Sequence, residues 1–358
     1  MPHKDATRLR IGVLGCGPIA QAAHLEACTK ARNVDLYAIC DVADDLRQRM
    51  AAMYAPTTSY ADYQAMLNDP LLDAVIIATS DTFHVESARL ALQAGKHVLC
   101  EKPLGVSVEE VEELKALAEL SGRVLQVGHM KRFDAGIQSA RAFVANDIGA
   151  LLAYKGWYCD STHRYAVTDA VQPLIIRSAN ARKPTVDSKS DLLRYCMLAH
   201  GSHLVDTARF LAGPIDAVVA TLTERFGACC WFVTAHFANG TAGHLDLTVA
   251  VRMDWHEGFQ IYGENGSVLG KSYNPWLFKS SDVDIFREAD GAWHRTLGAD
   301  GHFYRRQIEA FASVILDGAE MTGASADDGV ASVRAMVAIA RSVESGRTIR
   351  LAEVTGPV

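Results

Sequence analysis

The stretch IGVLGCGPIA, residues 11–20, joins a short apolar run to a glycine-rich turn that opens a helix. It matches the pattern G-x-G-x-x-A in the strand-to-helix context that dinucleotide-binding turns require. Gly15 permits the tight turn, Gly17 lets the backbone approach a pyrophosphate, and Ala20 allows the helix to pack closely on the strand. The positive end of the helix dipole then faces the phosphates. The predicted cofactor contacts of this turn are Gly15, Gly17, Pro18 and Ile19.

Asp41 ends the second apolar run of the chain. A carboxylate at this place can accept hydrogen bonds from the adenosine ribose hydroxyls of NAD, and it would repel the 2′-phosphate of NADP. Arg47 and Arg49 follow closely enough that use of NADP stays open. A glycine turn beside a surface aspartate is the ordinary alternative. The sequence therefore predicts NAD as the cofactor, provided that a parallel sheet surrounds the turn.

Short apolar runs alternate with helical segments through the first 130 residues, which predicts such a sheet. The runs are apolar at nearly every position, as expected for parallel strands that helices cover on both faces. Ser107, with Glu110 three residues later, has the spacing of a helix capping box. The predicted strands are 11–14, 34–40, 74–78, 98–100 and 124–127, and the predicted helices are 18–30, 42–53, 82–94 and 107–120. We therefore predict a doubly wound Rossmann domain over residues 1–130.

Residues 131–358 have a different pattern and predict a second, α+β domain. Thr241–Val249 alternates polar and apolar residues, which favours an antiparallel sheet with one exposed face. The segment 160–194 has no clean period, so a solvated surface loop, a substrate lid and a subunit contact all remain open for it. Helices within 303–343 are expected to pack back on the first domain. The other predictions are a helix at 134–146 and strands at 151–159, 217–224, 232–237 and 258–262.

The composition points to a protein that acts on small molecules. The chain has 358 residues, 49% of them hydrophobic, with a formal net charge of -7. An acidic chain is poorly suited to phosphate backbones or anionic lipid, so we expect neither a nucleic-acid nor a membrane partner. Eight cysteines without a C-x-x-C motif fit a reducing cytoplasm.

Four further motifs carry a resemblance to a known family. ATSDTFH at residues 78–84 and AGKHVLCEKP at 94–103 lie in the predicted Rossmann domain, and GHMKRF at 128–133 and GSHLVD at 201–206 extend the likeness to the second domain. The chain resembles the glucose-fructose oxidoreductase and inositol dehydrogenase family, Gfo/Idh/MocA, over nearly its full length. The resemblance implies a Rossmann domain and a C-terminal domain with a large open sheet, through which homo-oligomers form as dimers or tetramers.

The family also implies a reaction, in which a hydride passes between the nicotinamide and a carbinol carbon of a sugar, sugar derivative or cyclitol. By position, Lys102 matches a lysine that contacts both substrate and cofactor, and His203 matches a histidine that acts as acid or base. Such a reaction needs a base near the hydroxyl and a group that stabilises alkoxide character. A surface lysine and a structural histidine are the ordinary alternatives. The residues matching the nicotinamide wall are Thr79, Ser80, His84, Glu101, Lys102 and Arg132.

One position departs from the family pattern. Many of its dehydrogenases carry an aspartate four residues before the histidine, where this chain has Ala199. His200 could replace the lost contact, and Asp206 could bind substrate or orient His203. The spacing of His200, His203 and Asp206 would also suit a metal on one helical face, but we predict no metal because hydride transfer in this family needs none. Further candidate substrate contacts are His163, Arg164 and Trp157.

Two other functions remain open beside the dehydrogenase or ketoreductase. A redox-neutral, NAD-dependent glycosidase would oxidise a sugar carbon only transiently. A non-catalytic NAD-binding regulator would have no need of Lys102 and His203, and both are present.

Overall fold

The computed structural model describes residues 8–163, 170–185, 190–298 and 301–358. The chain forms two compact units. Within the described residues, the first unit comprises 8–130, 172–185 and 302–330, and the second comprises 131–163 with 170–171, 190–298 with 301, and 331–358.

The first unit is built on a seven-stranded sheet in the order β15-β6-β5-β4-β1-β2-β3. All neighbours are parallel except β15, which is antiparallel to β6. Its central strand β4 is buried at every position, which explains why the pattern there is apolar without alternation. The strands are β1 Leu9–Leu14, β2 Val34–Cys40, β3 Thr58–Tyr60, β4 Ala74–Ile77, β5 His97–Cys100, β6 Leu125–Val127 and β15 Ala324–Ser325.

Helices cover this sheet as the doubly wound fold requires. A π-helical turn at Ala20–His24 leads into the first α-helix. The capping box predicted at Ser107 does not form, because the Ser107 hydroxyl donates to the side chain of Glu109 at 2.7 Å. The helices are α1 Leu25–Lys30, α2 Asp44–Tyr54, α3 Tyr63–Leu67, α4 His84–Gln93, α5 Val108–Ser121 and α9 Phe303–Asp317, and α9 packs against α1, β1 and β2.

The second unit contains a nine-stranded sheet in the order β14-β13-β12-β11-β7-β10-β9-β8-β16. Its pairs are antiparallel except β7 with β10, which run parallel. In β9 buried positions alternate with more exposed ones, so one face of the sheet is covered and the other open. The strands are β7 Leu151–Ser161, β8 Ile215–Arg225, β9 Ala228–Phe237, β10 Ala242–Val251, β11 His256–Gly263, β12 Gly266–Ser272, β13 Asp282–Arg287, β14 Ala292–Arg295 and β16 Ile349–Arg350.

Helices of this unit pack on one face of the sheet. Asp134 caps the first of them by accepting from the N–H groups of Gly136 and Ile137, and it also binds the N–H of Ser281. Its carboxylate therefore joins the helix start to the chain entering β13. The helices are α6 Ala135–Asn146, α7 Leu192–Cys196, a π-helical turn Met197–Gly201, α8 Ser202–Ala212 and α10 Ala326–Ser345, whose first residues belong to the first unit.

The fold class predicted from the sequence is confirmed, with a parallel Rossmann sheet and a mostly antiparallel second sheet. The pattern did not predict β3, β12 to β16 or the short helix α3. These elements are short or lie toward the edges of the sheets, so that each offers few residues from which a period can be recognised. No helix in the described ranges is long and apolar enough to cross a membrane.

Candidate active site

The glycine turn after β1 has the shape that a pyrophosphate needs. Gly15 has a φ of +92°, and a Cβ there would lie 2.9 Å from the carbonyl oxygen of Ala78. A Cβ at Gly17 would meet no atom of the described residues within 4 Å, so the space beside this backbone is open. Pro18 is exposed and Ile19 half-buried, which leaves the turn accessible. The turn therefore fits the pyrophosphate of a dinucleotide.

Asp41 follows β2 and holds this turn. One carboxylate oxygen accepts from the N–H of Cys16 at 2.8 Å, and the other accepts from the N–H of Ala43 at 2.8 Å. Each oxygen keeps a second lone pair for a ribose hydroxyl. Arg47 donates to the backbone carbonyl of Asp41 and pairs with Asp44. Arg47, one of the two arginines that keep the use of NADP open, is thus bound to an acidic neighbour, whereas Arg49 is exposed.

Asp41→Ala is expected to weaken NAD binding by about tenfold while weakening NADP binding less, because a lost ribose contact costs roughly 1–2 kcal/mol and the repulsion of a 2′-phosphate disappears with it. Titration of both reduced cofactors by nucleotide fluorescence measures the two affinities. Asp41→Asn is the matched control, since its amide oxygen can still accept from one backbone N–H. Equal losses for NAD and NADP in Asp41→Ala would refute the ribose role.

His84 joins the two loops that follow β4 and β5. Its buried ring lies with Nδ1 2.7 Å from the carbonyl oxygen of Pro103 and Nε2 3.2 Å from that of Thr79. His84, which is predicted to belong to the nicotinamide wall, therefore holds the backbone of Thr79 and Pro103 in place. Ser80, by contrast, is exposed at the same sheet edge.

Glu101 follows β5 directly and is buried beside His24, whose Nε2 lies 2.8 Å from its carboxylate. The second carboxylate oxygen accepts from the N–H of Lys102 at 3.1 Å. Burial alone would raise the pKa of Glu101, but the hydrogen bond from His24 and the charge of Lys102 outweigh it and hold the pKa below its ordinary value. Lys102 is half-buried, and the Lys102–Pro103 peptide bond is cis. Glu101 thus fixes the backbone from which the lysine projects.

Glu101→Gln is expected to flatten the acid limb of the stability curve. Because the folded protein lowers the pKa of Glu101, its carboxylate contributes stability that is complete above the ordinary value of 4.5 and is lost as the pH falls below it. Urea unfolding at several values between pH 6 and pH 3 measures this slope. Glu110→Gln, on an exposed position of α5, is the control and should keep the wild-type slope. A wild-type slope in Glu101→Gln would contradict the assignment.

A second cluster forms in the other unit around Tyr158 of β7. The Tyr158 ring lies 6.0 Å from the ring of His203 at an interplanar angle of 5°, and its hydroxyl lies 3.3 Å from Nδ1 of His200. Trp255 meets the same ring edge-on at 5.1 Å. Nε2 of His200 lies 3.4 Å from Asp160. The structure therefore brings His200 and His203 together over one aromatic ring.

Arg132 and Asp206 form a buried ion pair. The Arg132 guanidinium donates through Nε to one carboxylate oxygen at 3.0 Å and through a terminal nitrogen to the other at 2.7 Å. Their side chains are only 7% and 2% exposed. This buried pair uses two nitrogens of Arg132 and both carboxylate oxygens of Asp206, and the cofactor contact of Arg132 and the substrate contact of Asp206 stay predictions.

Lys131 and Glu257 form a second buried ion pair next to the cluster. Burial lowers the pKa of Lys131 and raises that of Glu257, while their mutual attraction opposes both shifts. Lys131 Nζ also lies 4.6 Å from the centre of the Tyr158 ring. These two residues, with Tyr158, were not singled out from the sequence. The pair joins positions 126 residues apart, and the only local signal was Lys131 within the motif at 128–133.

Trp157 is not part of this cluster. Side chains alternate along β7, so Trp157 faces away from Tyr158 and stacks on His256 at 5.6 Å. His163 is exposed, and its N–H donates to the Ser161 hydroxyl. Arg164 lies outside the described residues. Tyr158, the neighbour of the predicted Trp157, is therefore the aromatic residue that contacts both histidines.

The structure places a carboxylate of another element beside His200, the neighbour of Ala199. Ala199 lies in the π-helical turn before α8, while Asp160 of β7 places a carboxylate beside His200. His200, His203 and Asp206 do not gather as ligands, since no group of three His, Cys, Asp or Glu residues in the described ranges could hold a metal ion.

The fold and the nucleotide site together define a class, an NAD-binding oxidoreductase with a Rossmann domain and a C-terminal α/β domain. Two family models match the chain, one described as an oxidoreductase family NAD-binding Rossmann fold over residues 9–129 and the other as the C-terminal alpha/beta domain of that family over residues 196–351. The chain belongs to the Gfo/Idh/MocA oxidoreductase family. The predictions of this family and of an NAD-binding Rossmann domain are confirmed, and the preference for NAD over NADP stays a prediction.

Relatives match over almost the whole chain. A myo-inositol 2-dehydrogenase of Thermotoga maritima is 25% identical, and the alignment covers 97% of this chain and 100% of the relative. A D-xylose 1-dehydrogenase (NADP(+)) of Haloferax volcanii is 26% identical, with 95% of this chain and 97% of the relative covered. A levoglucosan dehydrogenase in complex with NADH and levoglucosan has a TM-score of 0.80 at 21% identity, covering 97% of this chain and all of that one, and supports the fold.

Proposed function

We propose that this protein is an NAD-dependent dehydrogenase of a secondary alcohol in a sugar, sugar derivative or cyclitol. The observation that carries the proposal is the position of Lys102 at the carboxyl end of β5, with its backbone fixed by the buried Glu101. Ligands of parallel sheets bind at this edge. The printed names of the relatives, an inositol and a sugar dehydrogenase, support the substrate class.

The two catalytic groups have complementary tasks in this proposal. Bound NAD⁺ supplies the hydride acceptor. The Lys102 ammonium stabilises negative charge on the substrate oxygen, and the His203 imidazole accepts the hydroxyl proton. Stacking on Tyr158 holds the His203 ring in one plane, which limits the directions from which it can take that proton. His200, beside Asp160, is the proposed polar contact that compensates for Ala199.

Net oxidation separates this function from its alternatives. We propose to screen sugars, cyclitols, glycosides and carboxylated polyols for NADH absorbance, with product analysis of every reaction. A dehydrogenase forms NADH and a ketone in equal amounts. Cleavage of a glycoside without NADH would favour the redox-neutral glycosidase, and NADH binding without turnover of any compound would favour the regulator.

We also infer a cytoplasmic homo-oligomer. All eight cysteines lie in described ranges and none forms a disulfide there, which supports a reducing compartment. The open face of the second sheet exposes Phe232, which stacks on His244 at 6.0 Å. Apolar side chains on an open sheet suit a contact with a second copy. Sedimentation of the purified protein measures the assembly.

A further inference from the structure

Part of the long excursion at 160–194 lies against the nucleotide-binding edge of the first unit. We call residues 176–182 the strap. Gln21, which follows the glycine turn and is 4% exposed, holds one end. Its amide NH₂ donates to the carbonyl oxygens of Cys16 at 2.8 Å and Ile176 at 2.9 Å, and its amide oxygen accepts from the N–H of Ile176 at 2.9 Å. One side chain thus joins the strap to the turn itself.

Two further contacts hold the strap along the same edge. The Ser178 hydroxyl donates to Asp45 at 2.7 Å, and Asp45 lies in the first turn of α2, four residues after Asp41. The Arg182 guanidinium lies 4.4 Å from the centre of the Phe83 ring, three residues after Ser80. The strap therefore contacts the segments that follow β1, β2 and β4. These are the segments that supply the predicted contacts to pyrophosphate, ribose and nicotinamide.

The strap leaves the pyrophosphate position open. No atom of the described residues, those of the strap included, would lie within 4 Å of a Cβ at Gly17, and Pro18 stays exposed. The strap and a bound dinucleotide can therefore be present together. An element that competed with the cofactor would instead fill the space beside Gly17.

We infer that the strap is a cofactor-retaining element, latched by Gln21, that slows the release of NAD(H). Its three contacts lie on the segments that follow β1, β2 and β4, and the same segments carry the predicted cofactor contacts Gly17, Asp41 and Ser80. Release then requires the Gln21 contacts to open, because they hold the strap directly on the turn. The inference rests on the NAD site and is independent of the alcohol that the enzyme oxidises.

Gln21→Ala is expected to raise the NADH dissociation rate by about tenfold, because three hydrogen bonds of the latch are lost together. Stopped-flow displacement of NADH fluorescence measures this rate without any substrate, so it remains informative if the proposed oxidation fails. Ser178→Ala removes one exposed contact and should raise the rate less. Ser345→Ala, a serine of α10 in the second unit, is the matched control and should leave the rate unchanged.

Limited trypsin digestion provides a second measurement, which can be made even if the Gln21→Ala variant does not fold. Arg177 and Arg182 are exposed cleavage sites in the strap. NADH should protect both sites in the wild type, and Ser178→Ala should weaken the protection. Unchanged dissociation rates in both variants, with no protection by NADH, would overturn the inference. Slower release from Gln21→Ala would overturn it too, since that result means that the strap competes with the cofactor.

Discussion

Lys102→Met is expected to lower kcat by a factor of about 10³ or more while leaving NADH affinity nearly unchanged. Methionine keeps most of the length and the unbranched apolar stem of lysine, and it removes the charge and the exchangeable protons. A positioned acid or base contributes about 10²–10⁴-fold to a proton-transfer step, and a charge that stabilises the developing alkoxide adds to this. The affinity should persist because the glycine turn and Asp41, which bind the rest of the cofactor, are unchanged.

Steady-state kinetics on the best substrate of the screen and fluorescence titration with NADH measure the two effects separately. Lys30→Met is the control, because Lys30 lies on α1 of the same unit with its side chain 54% exposed. It should keep wild-type turnover. If Lys102→Met also kept wild-type turnover, the assignment of Lys102 as a catalytic residue would be wrong. A parallel loss of NADH affinity and turnover would instead move Lys102 to cofactor binding alone.

The sequence predicted the fold well where the physical signal is local. A few residues suffice to recognise the strand-to-helix turn at 11–20. The uniformly apolar run of β4 likewise shows that this strand is buried on both faces. The alternation in 241–249 likewise predicted a strand of the antiparallel sheet, observed as β10. The strand β13 was not predicted although its pattern alternates, because six residues between polar loops give too short a signal to separate from a loop.

The candidate site was less accessible to sequence reasoning because its contacts join distant positions. Arg132 and Asp206 are 74 residues apart, and Gln21 and Ile176 are 155 apart. Neither periodicity nor spacing reports such pairs. The motif at 128–133 indicated that Arg132 matters, and only the structure supplies the partner that changes its interpretation. For the same reason the sequence indicated Trp157 and not Tyr158, because the face on which a strand residue lies depends on what packs against the strand.

Tyr158 and Asp160 also change how Ala199 is understood. Ala199 provides no carboxylate in the helical segment. The cluster still contains an acidic group, because Asp160 of β7 lies beside His200. Tyr158 contacts both histidines and lies under Lys131, so the position of the two imidazoles depends on β7 as much as on the helical residues 197–212. We therefore expect the substrate orientation in this protein to be set by the strand and the helix together.

Asp206→Ala is expected to lower the free energy of unfolding by about 3–5 kcal/mol, because it leaves the buried Arg132 guanidinium without its counter-charge. The exposed pair of Asp284 and Arg295 in the same unit is a matched control with the same two-point geometry, at 2.6 and 2.7 Å. Asp284→Ala should change stability little, since its arginine is 66% exposed and water replaces the lost partner. Urea unfolding followed by circular dichroism compares the two variants.

The double variant Arg132→Met/Asp206→Leu decides between a structural pair and a cofactor contact. Replacing both charges by apolar groups removes the uncompensated guanidinium, so the double variant should recover much of the stability that Asp206→Ala loses. Its NADH affinity should equal that of the wild type, because the structure commits Arg132 to Asp206. A recovered fold with weakened NADH binding would restore the cofactor role predicted from the motif. Equal unfolding midpoints for Asp206→Ala and Asp284→Ala would show that the buried pair of Arg132 and Asp206 contributes no more to stability than the exposed pair.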